Sequence, residues 1–124
     1  MDAKIDAKTE PKAKPARPPQ KPGDVIDGLM FPFAEFPAAG EAIEVADGIF
    51  WVSTPVPFVG LKQVSLWLIR DGDGWTMVDC SYGGKTQREL IETVWAKLLG
   101  GRPVRQLIVT HFHPDHAGGS GWIA

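Results

Sequence analysis

A single cysteine, Cys80, stands in a chain of 124 residues. No disulfide can form within such a chain, which excludes the bridged scaffold of small secreted domains. No stretch approaches the run of about eighteen apolar residues that a membrane-spanning helix needs, and the opening "MDAKIDAKTEPK" lacks the apolar core of a secretory signal. These absences lead to the expectation of a cytoplasmic protein with no membrane association. A large excess of basic charge is also missing. The formal net charge is -2, and it is unevenly spread: residues 1–22 carry six bases against three acids, and the remainder carries seven bases against twelve acids. The acidic balance of the larger part argues against a nucleic-acid surface.

Aromatic residues are absent until Phe31. Residues 7–23, "AKTEPKAKPARPPQKPG", hold almost nothing but Ala, Lys and Pro. They cannot bury enough apolar surface to offset their ordering entropy, so residues 1–23 are expected to form a disordered, partly polyproline-like tail. Residues 24–124 are then the folded part. Phe31, Phe33 and Phe36, broken up by Pro32 and Pro37, suggest an extended lead-in that packs its rings on the domain.

Two β-rich runs flank Asp47-Gly48, a strong hairpin signal, which places strands at about 41–45 and 49–53. "TPVPFVGLKQ", residues 54–63, reads as a loop in which Val56, Phe58 and Val59 could wall a substrate site. "VSLWLIR" and "WTMVDC", joined by Asp71-Gly72-Asp73-Gly74, form a second hairpin whose hydrophobicity implies a sheet covered on both faces. One helix is expected in "TQRELIETVWAKLLGG". Thr86 and Glu89 have the spacing of a capping box, Leu90, Ile91, Val94, Trp95, Leu98 and Leu99 form the apolar stripe, and Gly100 ends it. A strand at 104–110 then delivers the chain to "HFHPDHAGG".

All three histidines of the protein lie within the six positions His111 to His116. In extended backbone His111 and His113 share a face and Phe112 points back to the core. Pro114 ends strand pairing and turns the chain, so Asp115 and His116 can meet the same cavity, and the glycines that follow allow a close turn into a helix. Three imidazoles and a carboxylate suit zinc, iron or manganese better than calcium or magnesium. A metal held this way brings a water's pKa to about 7.

"HFHPDHAGG" resembles the H-x-H-x-D-H-x-G signature of the metallo-β-lactamase superfamily, and the preceding hairpin, strand ending at Asp79, helix and strand are similar to the first half of its αββα fold. The resemblance covers about residues 41–124. It implies an α/β fold with a mixed, mostly antiparallel sheet and one flanking helix. It also implies a small-molecule substrate and two zinc ions, His111 and His113 holding the first, Asp115 and His116 the second. Asp115 would orient or deprotonate the attacking water, and Asp79 would steady a metal ligand from behind. An intact member adds two further histidines and a bridging aspartate from its second half. The chain has no histidine beyond His116, so the resemblance casts residues 24–124 as the N-terminal half of such a domain. In complete form the enzyme would hydrolyse an ester, thioester, lactam or related bond, and the lone chain is expected to be inactive. Two alternatives are a metal-binding module completed by another chain through exposed sheet, and a half-domain with no function.

Overall fold

The computed structural model describes residues 18–124. Most of the expected disordered tail, residues 1–17, lies outside the described residues. The chain divides into two compact units, Met1–Glu35 and Phe36–Ala124.

In the first unit, β1 (Asp24–Ile26) and β2 (Leu29–Phe31) form an antiparallel hairpin. Its two loop residues, Asp27 and Gly28, both have left-handed backbone, with φ of 50° and 79°. That is the Asp-Gly preference of tight hairpins. The extended lead-in expected from the prolines is thus a hairpin as far as Phe31, and the Asp-Gly pair is its signal in the sequence. Asp24 Oδ2 accepts hydrogen bonds from the backbone N–H groups of Gln20 and Lys21 at 2.7 and 3.0 Å.

The second unit is a five-stranded mixed sheet in the order β3 (Ala42–Ala46), β4 (Ile49–Phe58), β5 (Leu61–Asp71), β6 (Gly74–Val78), β7 (Val104–Ile108). Strands β3 to β6 run antiparallel, and β7 joins β6 in parallel after the crossover through α1 (Lys85–Leu98). A parallel neighbour needs such a crossover, and the helix packs its stripe on the sheet it has just left. Phe50, Val52, Leu66, Leu68, Trp75 and Met77 on the sheet meet Ile91 and Val94 of α1 in the core. Beyond β7 come two single-turn helices, α2 (Pro114–Ala117) and α3 (Ser120–Ile123).

Several expectations need correction. The segment 54–63 is not a loop: β4 and β5 continue pairing through Thr54↔Val64 and Pro55↔Gln63, then past a bulge to Phe58↔Leu61. Strand β3 covers β4 only as far as Val52, so Pro55 and Pro57 lie where β4 is an edge and a missing N–H breaks no ladder bond. Val56 is buried, whereas Val59 at the hairpin tip is fully exposed. The capping box does not form either. Gly84 is the N-cap and Thr86 lies inside the first turn. The helix starts early because Arg88 N–H reaches Gly84 O and its Nε donates to Gly83 O.

The sheet has one well-covered face. On the other, Ile43, Trp51, Trp67, Val78 and Ile108 are successive cross-strand neighbours, forming an apolar row across all five strands. Trp51 and Trp67 stack at 6.1 Å and Phe36 sits 5.4 Å from Trp51. The row is half-buried except for Ile108, which is exposed.

Close glycine packing fixes the chain after β6 against α2. A Cβ at Gly83 would stand 2.6 Å from Gly118 O, one at Gly119 2.6 Å from Cys80 O, and one at Gly118 would overlap Tyr82 O. Backbone cannot yield as a flexible side chain does. Gly118→Ala is therefore expected to cost about 3 kcal/mol in denaturant unfolding. Gly121→Ala, with nothing within 4 Å, should stay within about 0.5 kcal/mol of the parent. Equal stability of the two variants would refute the packing account.

Candidate metal centre

Parallel pairing brings the C-terminal ends of β6 and β7 side by side, with Asp79 N–H donating to Ile108 O at 2.8 Å. Asp79 and Thr110, which follow those strands, therefore meet although they are 31 residues apart. Asp79 has left-handed backbone, φ 61°, and so does Ser81, φ 65°. Such residues are uncommon and each costs of order 1 kcal/mol, so something must hold them. Cys80 N–H donates to His116 O at 2.9 Å, Gly119 N–H donates to Ser81 O at 3.2 Å, and the Ser81 hydroxyl bonds to that of Thr54.

The Asp79 carboxylate is buried and collects four contacts. Thr110 N–H donates to Oδ1 at 2.8 Å, the Thr110 hydroxyl lies 3.0 and 2.9 Å from the two oxygens, and His116 Nδ1 lies 2.7 Å from Oδ2. Burial by itself raises this carboxyl, but the Thr110 N–H, the His116 ring and the Thr110 hydroxyl outweigh it, and the group is held below its ordinary value. Asp79 thus stands directly behind His116.

Pro114 takes the first position of α2, where its missing N–H costs nothing. The one turn of helix turns Asp115 and His116 inward, with side chains 13% and 22% exposed. His111 and His113 precede it in irregular, exposed backbone. The His111 ring centroid is 4.8 Å from that of His113 and 4.1 Å from that of His116. All four residues singled out in the sequence are thus brought together. Phe112 is not turned to the core as expected; it is 85% exposed. Strand β7 stops at Ile108, so the two-residue alternation does not run on to position 112. The strand was expected to reach 110 and the last helix to begin after the motif; instead α2 begins within it.

Donor chemistry and spacing suit a metal at one pair. Asp115 Oδ2 and His116 Nε2 are 3.3 Å apart. With the His116 Nδ1–H given to Asp79, a neutral His116 presents only a lone pair at Nε2, and the carboxylate is also an acceptor. One cation, a proton or a metal ion, relieves that meeting. Two ligands on a tetrahedral zinc with bonds of about 2.0–2.1 Å are separated by about 3.3–3.4 Å, so the pair has the required bite. Among the described residues no three His, Cys, Asp or Glu side chains are placed to hold one ion. Cys80 does not join them: it is fully buried, its thiol donates to His116 O at 3.1 Å, and burial pushes its pKa up.

A carboxyl depressed by folding stabilises the fold above its unfolded pKa and loses that contribution as pH falls through the lower folded value. Asp79→Asn keeps the size and the tolerance of left-handed backbone but removes the charge. It is expected to cost about 1–3 kcal/mol at pH 7, with the difference from the parent shrinking below about pH 4. Urea titrations across that range test this; a difference independent of pH would exclude the charge as the cause.

The sequence profile of the metallo-beta-lactamase superfamily matches residues 59–124. A beta-lactamase domain protein from Burkholderia ambifaria is 43% identical over 72% of this chain and 27% of its own, with a TM-score of 0.67. A metallo-beta-lactamase family protein from Thermus thermophilus is 32% identical over 64% of this chain and 27% of its own, with a TM-score of 0.59. A metallo-beta-lactamase from Pontibacter korlensis, at 19% identity over 67% of this chain and 38% of its own, shares the fold with a TM-score of 0.56. The chain therefore spans about a quarter of the length of the first two. With the profile covering more than half of its residues, this chain belongs to the metallo-beta-lactamase superfamily.

Proposed function

We propose that this chain supplies one side of a two-metal hydrolytic site acting on a small molecule with an ester, thioester, lactam or similar bond. The observation that carries the reading is the convergence of His111, His113, Asp115 and His116 in front of the buried Asp79. Membership of a superfamily of metal-dependent hydrolase type, whose members commonly bind zinc, supports it.

In this proposal His111 and His113 hold the first ion, and Asp115 and His116 the second. Zinc is the proposed metal, with iron or manganese suited to the same donors. A bound ion would act as a Lewis acid and bring water's pKa to about 7. Asp115 is the residue proposed to orient the attacking water and take its proton, since its carboxylate already faces His116 Nε2. Asp79 keeps the His116 ring turned so that Nε2 faces outward. A cytoplasmic location belongs to the same proposal; the lone thiol, Cys80, is free and buried.

Each ion receives two donors from these residues, short of the three that hold catalytic zinc. A second reading, pairing with a polypeptide that completes the site, draws on the apolar row Ile43, Trp51, Trp67, Val78 and Ile108. Apolar side chains exposed at the end of such a row, as Ile108 is, favour association when they form a patch.

The purified chain is expected to retain less than one zinc per molecule after dialysis and to hydrolyse no ester or lactam substrate. Metal analysis with an esterase and lactamase panel checks both. Two tightly held ions with turnover that His113→Ala abolishes would overturn the proposal that the lone chain is incomplete.

A further inference from the structure

The network behind the histidines contains one hydroxyl whose single proton can be assigned. Thr110 Oγ1 lies 3.0 and 2.9 Å from the two Asp79 oxygens and 2.9 Å from His111 Nδ1. A threonine hydroxyl has one hydrogen to give and lone pairs to receive with; an ionised carboxylate can only receive. If the hydrogen went to His111, the Thr110 oxygen would face both oxygens of the buried Asp79 carboxylate at hydrogen-bond distance with no proton between them, a costly contact beside a charge so far out of water. The hydrogen therefore goes to Asp79. His111 Nδ1, at 2.9 Å from the same oxygen, must then be the donor.

We propose that Thr110 is a positioning residue that fixes His111 as the Nδ1–H tautomer, leaving Nε2 as the only ring nitrogen able to take a metal ion. The inference rests on the metal reading of His111 for its purpose, and on the hydrogen-bond geometry alone for the tautomer. It gives Asp79 a second client. The carboxylate acts on His116 directly, at 2.7 Å, and on His111 through the Thr110 hydroxyl, so one buried charge sets the tautomer of a ligand at each proposed metal position. His113 has no such support: it caps α2 with its backbone, and no side-chain hydrogen bond to its ring occurs among the described residues. Sequence gives no hint of this relay, because a threonine before a histidine reads as the end of a β-rich strand.

The test uses the whole chain, labelled with 15N and kept in chelator at about pH 8, where free imidazole is neutral. Long-range proton–nitrogen correlation spectra report which ring nitrogen carries hydrogen. The wild-type chain should show His111 and His116 each as a single Nδ1–H tautomer. A His111 that is Nε2–H, or that averages between tautomers, overturns the proposal without any variant being made. In Thr110→Val, His111 should lose its preference while His116 keeps it, and Thr110→Ser should restore the wild-type pattern. Calorimetric titration with zinc alone should then show affinity about tenfold weaker in Thr110→Val and recovered in Thr110→Ser, as for other residues that orient metal ligands. Zinc binding unchanged in Thr110→Val would overturn the positioning role. A locked His111 tautomer in a wild-type chain that binds no zinc even under a large excess of metal in the titration would uphold the Thr110 assignment and refute the metal reading instead.

Discussion

A carboxylate taken out of water is tolerable only when its lone pairs are met, and Asp79 is such a group: 5% exposed and facing four contacts from two residues. An unpaired charge there would cost several kcal/mol. The donors that prevent this come from the segment after β7 and from α2, so satisfying the carboxylate and placing the histidines are one event. The same residue sits in left-handed backbone, as does Ser81 two positions on. That local cost is carried because the chain between them is bonded to His116 O, and Gly119 N–H to Ser81 O. Strain, buried charge and the histidine cluster therefore occupy one small volume, a combination that recurs at functional sites.

What lets these groups meet is the parallel pairing of β6 with β7. Antiparallel neighbours would put the end of one strand beside the start of the next. The α1 crossover instead returns the chain to run alongside β6, and both strands end at the same edge, where open α/β sheets gather their ligand sites. The packing of α1 is thus tied to the site: Ile91 and Val94 bury against the sheet, and Gln87, also buried, donates to Pro55 O at 2.7 Å. The glycine contacts at Gly83, Gly118 and Gly119 then set α2 at backbone distance from the segment that carries Cys80.

Local patterns made much of this legible. Asp47-Gly48 and Asp71 to Gly74 mark real hairpins, and the stripe from Leu90 to Leu99 marks the helix, because turn chemistry and amphipathic period act over a few residues. Errors arise where tertiary context decides. The prolines at 55 and 57 argue for a loop unless β4 is known to be an edge beyond Val52. Thr86 and Glu89 have capping-box spacing, but Gly83 and Gly84 are already held, so the helix begins ahead of them. Phe112 is sent to the core only by carrying strand alternation past the residue where the strand stops. The metal-ligand candidates were legible because they are neighbours in sequence; the bonds from Asp79 to Thr110 and His116 were not, because they span 31 and 37 residues.

The support of the histidine cluster is one-sided. His116 is backed by a buried carboxylate and shares α2 with Asp115, whereas His111 and His113 project from exposed, irregular backbone. A site that must hold an ion against water needs its donors fixed before the ion arrives, since ordering them afterwards subtracts from affinity. The 3.3 Å pair of Asp115 and His116 is ordered in this sense: with His116 neutral, two acceptors face each other at the bite of a tetrahedral ion, an arrangement a proton or a metal ion relieves. The pair of His111 and His113 depends instead on a single side-chain link, from His111 through Thr110 to the same carboxylate. If the proposed metal reading holds, the better-supported pair, Asp115 and His116, is the one whose donors are fixed before an ion arrives, and both pairs lean on Asp79.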